Sequence, residues 1–394
     1  MNQLFASRAK KMQASEIREI LKLTQQPDII SFAGGLPAPE MFPIKEMKAV
    51  AGRVLDEMGQ AALQYNPTEG YDPLREKIAA RMSLTGTNLS KDNILVTSGS
   101  QQGLDFSGKI FLDTDDVVLC ESPSYLGAIN AFKAYECKFH EIKTDENGMD
   151  MEDLEYALKV LDRVKIIYVI PDFQNPSGRT WSLERRNMLV ELANKYDKII
   201  IEDNPYGELR YDGVMIPSVK SLDTEGRVVY LGTFSKTFCP GLRIGWVAAD
   251  DVVLNKYIMV KQGADLQTNS MSQMELSLFL DDYDFDNHIE KLVTLYRTRR
   301  DIMISAMNEH FPKEVKYDVP SGGLFIWAET PLGIDTKELM IEAVKEKVAF
   351  VPGESFFPNG GIKHTMRLNF SNMGEEKIEE GIKRLGLLLT NAVK

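Results

Sequence analysis

Val228-Val-Tyr-Leu-Gly-Thr233-Phe-Ser-Lys236-Thr-Phe-Cys-Pro-Gly-Leu-Arg243-Ile-Gly-Trp-Val-Ala-Ala249 reads as a strand, a hydroxyl-rich turn and a second strand. The apolar runs Val228–Gly232 and Gly245–Ala249 are nearly continuous, as in strands covered on both faces. A lysine just past such a strand becomes a nucleophile where burial lowers its pKa, and Schiff-base chemistry needs such an amine. Arg243, seven residues further on, and the hydroxyls between could hold a phosphate. Taken alone, the segment reads equally well as a loop with two solvated cations.

Working outward, further short apolar runs lie at Asn93–Ser98, Val117–Glu121, Lys165–Ile170 and Lys198–Glu202. Helical patterns such as Gln101–Leu112 and Leu183–Lys195 separate several of them. This alternation predicts an α/β domain with a mainly parallel, doubly covered sheet, which binds ligands beyond the carboxyl ends of its strands. The last third differs. A long helix over Tyr283–Glu309, a shorter one over Thr336–Lys347 and strands at Gly323–Ala328, Ala349–Val351 and Met366–Phe370 predict a smaller α+β domain. Ser15–Leu23 reads as a helix with Ser15 as N-cap, and the Pro/Gly-rich 34–43 as a loop. The expected division is an N-terminal arm and helix joining the small domain (1–44), a large domain (45–290) and a small C-terminal domain (291–394).

Four more segments carry candidate chemistry. Ile199-Ile-Ile-Glu-Asp203-Asn-Pro-Tyr206 ends an apolar strand on a carboxylate, which is costly to bury unless paired. It reads either as the partner of a cofactor ring nitrogen, with Tyr206 near a ring oxygen, or as a helix cap. Ile94-Leu-Val-Thr-Ser-Gly-Ser100-Gln101-Gln-Gly103 runs from a strand through a small-residue turn into a helix, whose first N–H groups suit a phosphate. Asn175-Pro-Ser-Gly178 follows a strand and is a turn signal whose amide could also donate to a ring oxygen. Arg367 lies in the alternating strand Thr365-Met-Arg-Leu-Asn-Phe370, as a solvated residue or, if buried, a bidentate carboxylate clamp. Gly103-Leu-Asp-Phe-Ser-Gly108-Lys109-Ile110 only imitates a P-loop. Ile110 replaces the magnesium-binding hydroxyl residue and the first glycine is already inside the helix, so Lys109 is a helix-surface residue.

Composition sets the outer bounds. The 394 residues are ample for a large core, and 43% hydrophobic with 26% charged residues is ordinary globular composition. A formal net charge of −12 makes a poor general binder of nucleic acid or anionic membrane. No apolar run approaches a membrane span, and the N-terminus lacks a signal-peptide core. The three cysteines, Cys120, Cys137 and Cys239, form no CxxC pair, consistent with reduced thiols and a cytoplasmic location. His140, His288, His310 and His364 form no metal-ligand pattern, so no metal is expected.

In this order and spacing the segments resemble fold-type I pyridoxal-phosphate aminotransferases over essentially the whole chain from about Ser15. The likeness is greatest to 2-aminoadipate and kynurenine/aminoadipate aminotransferases, through Ser15-Glu-Ile-Arg18-Glu-Ile-Leu-Lys-Leu23, Ser31-Phe-Ala-Gly-Gly35-Leu-Pro-Ala-Pro39, Leu63-Gln-Tyr65-Asn-Pro-Thr-Glu-Gly70 and Ser98-Gly-Ser-Gln-Gln102. The resemblance implies a large domain with a mainly parallel seven-stranded sheet between helices. It implies pyridoxal 5'-phosphate held by Lys236, which also moves the proton, with Asp203 on the pyridine nitrogen. Tyr206 and Asn175 would hold the ring oxygen and Tyr125 would stack on the ring. Ser100, Gln101, Ser235 and Arg243 would bind the phosphate, joined by Tyr65 from a partner subunit of a homodimer. Arg367 would clamp the substrate α-carboxylate near Gly35 and Asn175, and Arg18 would read a distal acidic group. Asn204-Pro205 and Arg179 depart from the pattern and would reshape the pocket wall.

The expected activity is amino transfer between an α-amino acid and a 2-oxo acid such as 2-oxoglutarate. The donor is dicarboxylic, such as 2-aminoadipate or glutamate, with aromatic and branched side chains open. A lyase or decarboxylase on the same fold is the alternative, since fold does not fix reaction. A non-catalytic effector-binding module is disfavoured by the acidic charge and by the short stretch before Gly34, which has no room for a helix-turn-helix.

Overall fold

A computed structural model describes residues 4–11 and 28–393. The helix expected at Ser15–Leu23, and Arg18 with it, lies outside the described residues. The apolar runs become strands of one sheet: β1 (Ile94–Ser98), β2 (Val117–Glu121), β3 (Lys138–Ile142), β4 (Val164–Val169), β5 (Ile199–Asp203), β6 (Val228–Thr233) and β7 (Ile244–Ala248). Their order is β1-β7-β6-β5-β4-β2-β3. β7 is antiparallel to both neighbours and every other pair is parallel. Consecutive isoleucines explain the two covered faces. Ile166 and Ile201 enter one core with Leu104 and Phe132, while Ile167 and Ile200 enter another with Leu154 and Leu189. Each fully buried side chain of this kind contributes about 1.5–3 kcal/mol.

β3 is absent from the sequence reading. Its Lys-Phe-His-Glu-Ile run is exposed to half-buried until Ile142, as befits an edge strand, and so lacks the apolar continuity of its neighbours. The single strand expected at Ala349–Val351 is divided. Val348–Ala349 pairs with Ile30–Ser31, whereas Val351–Pro352 pairs with Arg367–Met366. Buried Phe350 sits at the change of partner.

The second sheet is antiparallel and places Phe325–Glu329 and Thr365–Asn369 side by side, with Trp327 opposite Arg367. A helix at Phe285–His310 runs unbroken through residue 290 and packs on the C-terminal helix Glu375–Val393.

Strand direction positions the site. The carboxyl ends of β1, β2, β4, β5 and β6 share one edge of the large sheet. Because β7 runs the other way, its amino end, preceded by Arg243, lies at that same edge.

Candidate active site

A cleft of about 1170 Å3 opens at this edge, lined by Gly35, Ser100, Gln101, Tyr125, Asn175, Asp203, Tyr206, Ser235, Lys236, Arg243 and Arg367, among others. Phe325 of the second sheet is also in its wall. Eleven sequence candidates thus converge from strands, helix starts and loops spread over more than three hundred residues of chain.

Lys236 follows β6 and donates from Nζ to the Gly35 carbonyl at 2.7 Å. Burial, reinforced by the positive charges of Arg367 and Arg243, lowers its pKa to about 8 against the pull of Asp203. A substantial share of the amine is therefore neutral near pH 7.5, the state a nucleophile requires.

Asp203 ends β5 fully buried. Tyr168 of β4 donates its hydroxyl to Oδ2 at 2.9 Å. Oδ1 is buried with no hydrogen-bond partner among the described residues. Burial raises the Asp203 pKa to about 7, opposed by Tyr168 and Lys236. A buried acceptor left open in this way fits a cationic N–H donor. Tyr168 escaped the sequence reading. Its only signal was a tyrosine inside an apolar strand, whose hydroxyl needs a partner that sequence does not name.

Asn175 bridges Tyr206 and Arg367. Its Nδ2 donates to the Tyr206 hydroxyl at 3.3 Å, and its Oδ1 accepts from Arg367 Nη1 at 2.8 Å. Arg367 Nη2 donates to the Ala33 carbonyl at 2.8 Å. The guanidinium carbon lies 4.2 Å from the Phe325 ring centroid and 5.0 Å from that of Phe356. Arg367 Nε is buried without a partner among the described residues. Burial lowers the Arg367 pKa to about 10, so the group remains cationic at neutral pH. An incompletely satisfied, rigidly stacked guanidinium is suited to a carboxylate.

One end of the cleft combines a helix start with the Arg243 side chain. The helix Ser100–Phe111 starts at Gly99, and its first-turn N–H groups have no intrahelical acceptors. Arg243, with φ of 57°, extends Nη2 to the Ser98 carbonyl at 3.2 Å and Nη1 to Ser235 Oγ at 3.4 Å. Gln101 turns its amide to the Gly127 carbonyl at 2.9 Å, which leaves its main-chain N–H for the cradle. Gly99 has φ of 76°, and a Cβ there would lie 2.3 Å from Arg243 Nη2. A Cβ at Gly245 would lie 2.6 Å from Ser100 N. Both positions need glycine. Gly99→Ala is expected to displace Arg243 and weaken cofactor retention on the order of tenfold, read by absorbance titration of the apoenzyme.

Tyr65 is not brought to this cleft by its own chain; it is 78% exposed. Arg179 also stays out of the cleft lining: it donates to Thr144 Oγ1 at 3.0 Å. Asn204 turns to Asp172 at 3.1 Å, leaving Pro205 in the wall. Lys109 is an exposed residue of the Ser100–Phe111 helix. Among the described residues no cluster of His, Cys, Asp and Glu is arranged for a metal, and no helix is long and apolar enough to cross a membrane.

The family described as aminotransferase class I and II matches residues 34–385. The chain belongs to this family. It is 48% identical to aromatic-amino-acid aminotransferase 1 of Thermococcus litoralis, covering 99% of this chain and 95% of that one. A kynurenine aminotransferase of Pyrococcus horikoshii, solved with PMP, superposes with a TM-score of 0.95 at 45% identity, covering 100% of this chain and 98% of the other. LysN, the α-aminoadipate aminotransferase of Thermus thermophilus, solved with N-(5'-phosphopyridoxyl)-L-leucine, gives 0.92 at 41%, with 99% and 98% coverage. This aminotransferase is accordingly a fold-type I enzyme dependent on pyridoxal phosphate, acting on amino acid and oxo acid substrates. The open Asp203 oxygen, the glycine cradle beside Arg243 and the buried amine of Lys236 fit that cofactor.

Proposed function

We propose that the enzyme transfers the amino group of a dicarboxylic α-amino acid, such as 2-aminoadipate or glutamate, to a 2-oxo acid such as 2-oxoglutarate, and that aromatic donors also enter. The observation that carries amino transfer is the buried, incompletely paired Arg367, suited to an α-carboxylate and facing the same cleft as Lys236, while the dicarboxylic preference rests on the match of Arg18 to the aminoadipate enzymes. Relatives named for aromatic amino acids and for α-aminoadipate support both donor classes.

In this reading Lys236 carries the cofactor and takes up the proton that leaves the substrate α-carbon. Asp203 holds the ring nitrogen cationic, Asn175 and Tyr206 hold the ring oxygen, and Tyr125 covers a ring face. Gly99 and the first turn of the Ser100 helix, with Ser235 and Arg243, take the phosphate. Arg367 orients the α-carboxylate with Asn175 and the Gly35 region. The bound cofactor supplies an electron-accepting ring, which makes the substrate α-proton removable. Lys236 would then need only to accept that proton and hand it on to the cofactor, a task suited to an amine with pKa near working pH.

The same reading has two copies sharing their sites, with exposed Tyr65 reaching the partner's phosphate, residues 45–290 and 291–394 with the N-terminal arm as its two lobes, and the cytoplasm as its location. The test is a panel of amino donors with wild type and Arg18→Ala. Acidic donors are expected to lose on the order of 10- to 100-fold in kcat/KM while aromatic donors hold. An unchanged profile removes Arg18 from the site and with it the dicarboxylate preference.

A further inference from the structure

Behind the phosphate cradle lies a cation that the reaction does not use. Lys261, on the helix Asp251–Ala264, is fully buried, which is costly for an ammonium unless its donors are satisfied. All three are engaged. Nζ donates to Gln102 Oε1 at 3.0 Å and to Asp265 Oδ1 and Oδ2 at 2.9 and 3.0 Å.

Both acceptors lead to the cradle. Gln102 Oε1 also accepts from the Ser98 main-chain N–H at 2.9 Å, and Gln102 Nε2 donates to Asp265 Oδ2 at 2.8 Å. Ser98 Oγ reaches the same carboxylate oxygen at 3.4 Å. The Ser98 carbonyl is the acceptor that holds Arg243. The turn that starts the phosphate cradle is thus fixed from behind by one buried cation acting through one amide and one carboxylate.

The cluster also faces outward along the chain. Asp265 caps the helix and Leu266 follows at φ of 65°, a left-handed conformation that is unfavourable for a leucine. That corner delivers Gln267, whose Oε1 accepts from the Asn66 N–H next to Tyr65. Asn66 Nδ2 in turn donates to Ser270 Oγ at 2.8 Å. An ion pair needed only for helix stability would not require the Gln102 contact or the strained corner.

We propose that Lys261 is a positioning residue for the cofactor phosphate: it fixes the Ser98–Ser100 turn through Gln102 and, through Asp265, the corner that holds the Tyr65 segment. The inference rests on the phosphate-cradle reading given above. Because it acts on the phosphate alone, its loss discriminates between ligands with and without that group.

The test uses apoenzymes of wild type, Lys261→Met and Gln102→Met, titrated with pyridoxal 5'-phosphate and with pyridoxal. Lys261→Met is expected to raise the pyridoxal-phosphate dissociation constant about tenfold or more and to leave pyridoxal within about twofold, as for the loss of a charged hydrogen-bond network. Gln102→Met removes the link to Ser98 together with the Gln102 contacts to Lys261 and Asp265, leaves the direct Lys261–Asp265 pair in place, and is expected to show the same discrimination. It decides the matter if Lys261→Met does not fold. Unchanged pyridoxal-phosphate affinity, or equal weakening of both ligands, overturns the proposal. Arg243→Gln separates the two levels. If it too leaves the ratio of the two affinities unchanged, the cradle reading fails and this inference falls with it. If Arg243→Gln changes the ratio and the Lys261 and Gln102 variants do not, only the role of Lys261 is refuted.

Discussion

Lys236→Ala is expected to lower kcat for amino transfer by about 10^4-fold or more while leaving the fold intact, because in the proposed role it would remove both the attachment point and the proton carrier. Its neighbours explain why no other group substitutes. Nζ sits against the Gly35 carbonyl, and the adjacent cations, Arg367 and Arg243, cannot accept a proton at neutral pH. The same charges make the lysine pH-sensitive. In the cofactor-free enzyme the neutral amine grows as pH rises through about 8 rather than 10.5. At pH 7.5 roughly a quarter is neutral, against about one part in a thousand for an ordinary lysine. The rate of cofactor uptake by apoenzyme is therefore expected to rise with pH and to level off above about 8. Stopped-flow absorbance checks it. A midpoint near 10.5 would mean that burial and the two arginines do not act on this amine. Transamination by Lys236→Ala at the wild-type rate would remove Lys236 from the mechanism.

Much of this site was legible because strand polarity does the assembling. Apolar runs that end in Ser98, Asp203 and Thr233 each present their next residues at the same sheet edge once the sheet is parallel, so Ser100, Asp203 and Lys236 could be nominated without knowing a single contact. Arg367 was legible as a type, a strand arginine, but not as buried. Its environment comes from Ala33, Asn175, Phe325 and Phe356, which no periodicity brings together. Tyr168 and Lys261 were illegible for a related reason. Both look like interior or helix residues, and their meaning lies in polar partners distant in sequence or on another element. β3 was missed because an edge strand need not be apolar, and the split at Phe350 because one extended run can serve two sheets. Tyr65, exposed on its own chain, has its proposed meaning on a second copy.

Asp203→Asn is expected to have opposite effects on catalysis and on stability. In the role proposed for Asp203 an amide could not hold a ring nitrogen cationic, so losing this charge from a buried site is expected to cost on the order of 10^2- to 10^3-fold in kcat. In the cofactor-free protein the same carboxylate is a burden. Oδ1 has no partner among the described residues, and burial raises the folded-state pKa from 3.8 to about 7. Between those values the folded chain holds a proton that the unfolded chain has released. The stability conferred by the protonated form is thus fully present below about pH 3.8 and is lost as pH rises through about 7. Above that the apoenzyme folds around a carboxylate that Tyr168 and Lys236 compensate only in part. Asp203→Asn removes this dependence, so apo Asp203→Asn is expected to be more stable than apo wild type at pH 8, by on the order of 1–4 kcal/mol, with the gap closing toward pH 5. Glu121 and Glu202 are also buried and raised to about 7, but they contribute equally to both proteins and cancel in the comparison. Cofactor should reverse the order, since a cation at Oδ1 converts the burden in wild type into a pair that the amide cannot form. Thermal melts of both proteins at pH 5 and pH 8, with and without pyridoxal phosphate, contain the whole argument. If apo Asp203→Asn is less stable than apo wild type at pH 8, the carboxylate is already compensated in the empty site, and its open oxygen is not what draws the ring nitrogen in.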